Sequence, residues 1–128
     1  MTKKQLSKYV KECKSFKFLQ ENWQPKVGDK CLYDGEIFQI KTFGEEEFYI
    51  ENEKLKSTYF KKENCVFLPS LSQCIEGIGN KFFKLRKEGI TWVCDIYSDG
   101  VYYIKFIGAN FPELACLKAW KEVESEKT

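Results

Sequence analysis

Six cysteines, a run of consecutive glutamates and clustered lysines are the residues of this chain whose types could do chemistry. Histidine is absent, which removes the commonest general base, the commonest zinc ligand and any Ser-His or Cys-His dyad. Hydrolysis would fall to carboxylates or lysine, and a zinc site to cysteines and carboxylates. Cys13, Cys31, Cys65, Cys74, Cys94 and Cys116 form no CxxC or related knuckle. They lie in apolar surroundings, beside Leu32, Val66, Ile75, Val93 and Leu117. That setting predicts buried free thiols acting as small hydrophobes in a reducing cytoplasm, not disulfides or an assembled metal site. Glu45-Glu46-Glu47, with Glu51, Glu53 and Glu63, gives one region an acidic side. Acid/base catalysis needs two carboxylates in unlike environments, whereas consecutive ones at a turn are alike and solvated. They read as a charged turn that blunts a strand edge. A carboxylate enzyme would lean on Glu46, Asp95 or Asp99, but nothing in their spacing recommends it. Gly77-Ile78-Gly79 lacks the rest of a phosphate-binding loop, and neither a nucleophile elbow nor a zinc signature occurs. The chain is expected to be non-enzymatic and to need no cofactor or metal.

Binding chemistry is better represented. Lys3, Lys4, Lys8, Lys11 and Lys14 stand against the single Glu12 in the first fifteen residues, an electrostatic footprint for phosphate. Lys81, Lys84, Arg86 and Lys87 interleave with Phe82, Phe83 and Leu85, a pattern in which rings stack bases while cations hold phosphates. Lys4, Lys8, Lys11, Lys84 and Arg86 are therefore candidate nucleic-acid contacts. The plainer reading is a solvated helix face and a half-buried strand, with Phe83 and Leu85 alternating against Lys84 and Arg86. The net charge of +2 adds nothing for polyanions. A third group, Trp92, Tyr97, Tyr102 and Tyr103, would anchor a protein partner, since Trp and Tyr dominate interface hot spots. Around them the sequence is apolar on alternate and on intervening positions, so the sheet they form needs a cover on its second face.

The elements that must position these groups follow from spacing. Thr2 with Gln5 has capping-box spacing, and Leu6, Tyr9, Val10 and Cys13 recur at helical intervals, predicting a basic amphipathic helix over 3–15. Phe16, Phe18, Leu19 and Trp23 then lead toward Pro25. From Val27 to Leu68 short apolar runs alternate with turn signals, predicting strands near 30–34, 36–42, 46–51, 55–60 and 64–68. Asp34-Gly35 between the first two supplies the positive φ angles of a type I′ hairpin turn. Five short strands suit an SH3-like barrel or an antiparallel meander. After Pro69, Ser70 with Gln73 repeats the capping-box spacing ahead of Leu71, Cys74, Ile75 and Ile78, and Gly79-Asn80 stops that helix. Three strands follow between 81 and 107, and Pro112-Glu113 opens a last helix carrying Leu114, Leu117, Trp120 and Val123. The fold class is α+β: residues 1–24 form a basic helix and lead-in, 25–68 a small barrel, and 69–128 an α-β-β-β-α module, expected to share one core. The 128 residues, 16% of them aromatic, are enough for one domain with a real core.

The stretch Leu68-Pro69-Ser70-Leu71-Ser72-Gln73, Trp92-Val93-Cys94 in a central strand, and Pro112-Glu113-Leu114-Ala115 with Trp120 resembles a module of short phage and prophage accessory proteins. Trp23-Gln24-Pro25-Lys26-Val27-Gly28-Asp29-Lys30 occurs in that company as the lead-in to a small barrel. Members of that group open the last helix with Thr-Pro-Glu-Glu, where this chain has Asn110-Phe111-Pro112-Glu113. The resemblance implies a mobile-element protein in the cytoplasm of a bacterial host, with no catalytic residue to carry over. Its expected partner is a bacterial protein, such as a CRISPR effector or its nucleoprotein complex, which it would occlude. Met1 to Val10 has no apolar h-region and no run approaches a membrane span, so neither a signal peptide nor a membrane partner is expected.

Overall fold

The computed structural model describes residues 1–44, 47–54, 56–98 and 104–127. The chain is α+β and divides into two compact units, one made of Cys13–Pro69 and the other of Met1–Glu12 with Ser70–Thr128. Pro69, the punctuation seen in the sequence, is where the second boundary falls. The first boundary cuts through helix α1, Lys3–Ser15, whose N-terminal turns belong with the C-terminal half of the chain.

The unit 13–69 carries helix α2 (Lys17–Asn22) and strands β1 (Lys30–Tyr33), β2 (Glu36–Phe43), β3 (Phe48–Glu51), β4 (Ser57–Phe60) and β5 (Val66–Leu68). All pairings are antiparallel, in the order β4-β3-β2-β1-β5. A single 3-10 turn at Lys62–Asn64 precedes β5. Asp34 at φ 49° and Gly35 at φ 76° make the β1–β2 turn, as an Asp-Gly pair does when a two-residue hairpin must follow the strand twist. Cys31, Phe38, Ile40, Ile50, Phe60 and Phe67 are buried in this unit. Trp23 stacks on Phe67 with ring centroids 4.8 Å apart, and its indole N–H donates to Asp29 Oδ2 at 2.9 Å. The same carboxylate oxygen accepts from the Lys26 backbone at 3.0 Å, which satisfies a buried acid and closes the Lys26–Asp29 turn. Helix α2 falls within the expected apolar lead-in. Its Gln20 side chain accepts from the Phe67 N–H at 2.8 Å and donates to the Phe67 carbonyl at 3.0 Å, so one amide covers both backbone groups at the edge of β5.

The other unit carries helix α3 (Leu71–Ile78), strands β6 (Phe82–Glu88), β7 (Thr91–Tyr97) and β8 (Ile104–Ala109), and helix α4 (Pro112–Ser125). The sheet is antiparallel in the order β6-β7-β8. Both expected capping boxes form: Thr2 with Gln5, and Ser70 with Gln73, each reciprocally bonded. Helix α4 starts at Pro112 as expected, with Phe111 at the cap position buried rather than polar. It packs on β7 and β8, while α3 packs against α4. Gly77 makes that approach close, since a Cβ there would lie 2.2 Å from the Trp120 indole. Tyr9 of α1 meets Phe111 edge-on at 6.2 Å and its hydroxyl lies 3.5 Å from the Cys74 sulfur. Tyr9, Cys74, Ile78, Cys94, Ile96, Leu114, Cys116, Leu117 and Val123 are buried, and this is the unit's core.

Candidate binding face of the three-stranded sheet

Strand alternation assigns every side chain of β6–β8 to one of two faces. Cys94 of β7 and Cys116 of α4 are both fully buried where α4 packs on β7, which marks the helix-covered face. Trp92 and Ile96 share that face with Cys94, as do Leu85 and Ile107, the direct cross-strand partners of Cys94. The other face therefore carries Val93, Asp95 and Tyr97 of β7, with Arg86 and Lys84 opposite Val93 and Asp95 on β6, and Phe106 opposite Asp95 on β8.

Phe83 joins that second face through a break in alternation. The β6–β7 register shifts between Phe82 and Lys84, a bulge that places one extra residue on β6 and re-aims its side chain. The Phe83 ring meets Tyr97 edge-to-face at 5.3 Å, and the Lys84 ammonium lies 5.4 Å from its centroid. This corrects the alternation expected from sequence, which put Phe83 opposite to Lys84 and Arg86. Phe83 and Tyr97 are each 42% exposed and Phe106 is 66% exposed. Three large rings thus reach solvent from three adjacent strands.

Charge on this face is already spent internally. Asp95, 1% exposed, accepts from Arg86 Nε at 2.9 Å through Oδ2, while its Oδ1 has no hydrogen-bond partner among the described residues. Arg86 also pairs with Glu88, and its guanidinium sits 5.3 Å from the Phe106 ring centroid. The hydrogen bond to Asp95 raises the Arg86 pKa above its ordinary value, ahead of the smaller influence of Glu88. Lys84 and Arg86 against Asp95 and Glu88 sum to zero, and among the described residues Lys84 is the cation of this face that pairs with no carboxylate.

The remaining candidates are placed as follows. Trp92 lies on the helix-covered face with the Lys87 ammonium 5.7 Å from its ring, so it does not share a surface with Tyr97. Tyr102 and Tyr103, like Glu46 and Asp99, lie outside the described residues. Lys4, Lys8 and Lys11 are exposed on α1, whose inner side meets α3 and α4 through Tyr9. They belong to the helical side of the unit, so Lys84 and Arg86 do not join them on one surface. All six cysteines are free thiols. Five are buried as expected, and Cys65 is half-buried. Contact with Cys31 pushes the Cys65 thiol up, and burial adds to it. The described residues hold no group of three or more Cys, Asp or Glu able to bind a metal.

Sequence reasoning left Phe83 and Phe106 out of the named partner anchors and missed Asp95 as a buried carboxylate. The bulge that exposes Phe83 has no glycine to announce it. Asp95, a lone acid between Cys94 and Ile96, was the one readable signal. Compared with known protein families, curated proteins and solved structures, the chain matches none.

Proposed function

We propose that this protein is a non-enzymatic binding protein that docks a protein partner on the Phe83–Tyr97–Phe106 face of its three-stranded sheet. The observation that carries this reading is the exposure of three aromatic rings on one face whose Arg86 is already paired with Asp95 and Glu88. Exposed Phe and Tyr around a pre-ordered Arg are the materials of an interface hot spot. A nucleic-acid strand would find stacking rings but little charge, because Arg86 would have to leave two carboxylates to hold a phosphate. The fitting partner surface is apolar, with one carboxylate to meet Lys84. The resemblance to phage accessory proteins supports a bacterial protein as that partner, such as a component of CRISPR defence, bound stoichiometrically and occluded.

The test is a pull-down from nuclease-treated bacterial lysate with the native protein, the triple variant Phe83→Ala/Tyr97→Ala/Phe106→Ala and, as a control, Tyr59→Ala. The reading predicts a protein captured in equimolar amount by the native chain and the control and lost from the triple variant, which keeps its circular dichroism. Equal capture by the triple variant contradicts it.

A further inference from the structure

A second surface differs in chemistry from the sheet face and does not depend on the reading of it. The first seventeen residues contain Lys3, Lys4, Lys8, Lys11, Lys14 and Lys17 against Glu12, a net charge of +5. Since the whole chain carries +2, the remaining residues carry −3. Charge is segregated, and helix α1 holds the positive end. Helical spacing puts Lys3, Lys4, Lys8, Lys11 and Lys14 within an arc of roughly 140° and along roughly 15 Å of axis. All five are exposed, and among the described residues none of them forms an ion pair. Glu12, the one acid on the helix, is drawn to Lys121 of α4 at 3.7 Å.

We infer that α1 is a contact for the phosphate backbone of double-stranded nucleic acid, made through Lys4, Lys8 and Lys11 with Lys3 and Lys14 flanking. Ammonium groups repeating along a line match a linear polyanion, where a compact ligand would need them to converge. The arc holds no aromatic ring for a base to stack on, which disfavours a single strand. It offers no Arg fork for base edges, so the contact positions the duplex without reading its sequence. A bilayer is disfavoured because the apolar side of α1 is already used: Tyr9 and Cys13 are buried and Tyr9 packs on Phe111 and Cys74. An acidic protein is disfavoured because the arc has no apolar anchor, and lysine is depleted from the centres of protein interfaces.

The experiment is fluorescence anisotropy with a labelled DNA duplex of about 20 base pairs, titrated at several salt concentrations from about 50 mM upward. Five phosphate contacts predict a slope of log K against log salt near −4.5, and Lys4→Gln/Lys8→Gln/Lys11→Gln should bring it to about −2 with an affinity loss of about tenfold or more at low salt. Lys4→Arg/Lys8→Arg/Lys11→Arg keeps the slope. Lys26→Gln/Lys54→Gln/Lys61→Gln removes the same charge from exposed sites elsewhere and should leave binding within about twofold. The inference is overturned if the native chain does not bind the duplex at low salt, or if the control triple loses as much as the α1 triple. Tighter binding of the matching single strand, or equal competition by poly-glutamate at the same charge concentration, overturns it as well.

Discussion

Arg86 is the residue on which the sheet face turns. Its guanidinium bonds the buried Asp95 carboxylate, meets Glu88 and lies over Phe106. The two ends of the Arg86–Asp95 pair are unequal, because Asp95 is buried while Arg86 reaches solvent. Removing Arg86 strands a buried negative charge; removing Asp95 releases a cation that water and Glu88 can take. Arg86→Ala should therefore lower the urea midpoint more than Asp95→Ala, and the double variant should recover part of the Arg86→Ala loss. Urea melts of the three variants read this directly, and equal losses would mean that Asp95 is held by something other than Arg86. The thiols give a second residue-scale expectation. Burial pushes the Cys74 thiol up to about 12 from 9.0, and its hydrogen bond with Tyr9 pulls the other way. A raised pKa favours the native state fully below pH 9, and that contribution is lost as pH rises from 9 through about 12. Stability should fall in that window by up to about 1.4 kcal/mol per pH unit for this group. Cys74→Ala should flatten the alkaline slope, whatever its cost at neutral pH; denaturant melts across that range check it.

At the scale of elements, most of what was legible rested on local rules. The capping boxes at Thr2 and Ser70, the Asp34-Gly35 turn and Pro112 at the start of α4 are each fixed by a few neighbouring residues, and each forms as expected. What the sequence hid depends on partners distant in the chain. The β6 bulge is set by pairing with β7, so simple alternation put Phe83 on the wrong side. Helix α2 has no cap of its own, and the value of its Gln20 appears only when the β5 edge is beside it. Gly77 reads as a weak spot in a helix, yet it is where Trp120 passes. Gly77→Ala should raise local helix propensity and still destabilise, by about 1–3 kcal/mol, because the new methyl overlaps the indole. Thermal unfolding distinguishes this from the stabilisation that propensity alone predicts, and Gly77→Ala with Trp120→Leu should restore most of the loss.

Across the whole molecule, composition reported a small net charge and concealed its distribution. The +2 total is the residue of a basic α1 and a mildly acidic remainder, so a chain with no strong charge can still present a strongly charged helix. The sheet face works in the opposite way, since its cations look like a phosphate patch in sequence and are neutralised by Asp95 and Glu88 once folded. One surface is suited to apolar docking and the other to a polyanion. A protein that must find a nucleoprotein target would use both. The most direct test of the docking face replaces single residues with the photo-crosslinker p-benzoylphenylalanine and illuminates the protein in bacterial lysate. Tyr97 and Phe106 report on the three-stranded sheet face, Tyr59 on strand β4 of the five-stranded sheet and Lys118 on α4. The account predicts the same discrete protein adduct from Tyr97 and Phe106 and none from Tyr59 or Lys118. An adduct from Tyr59 or Lys118, with none from the sheet positions, would contradict it.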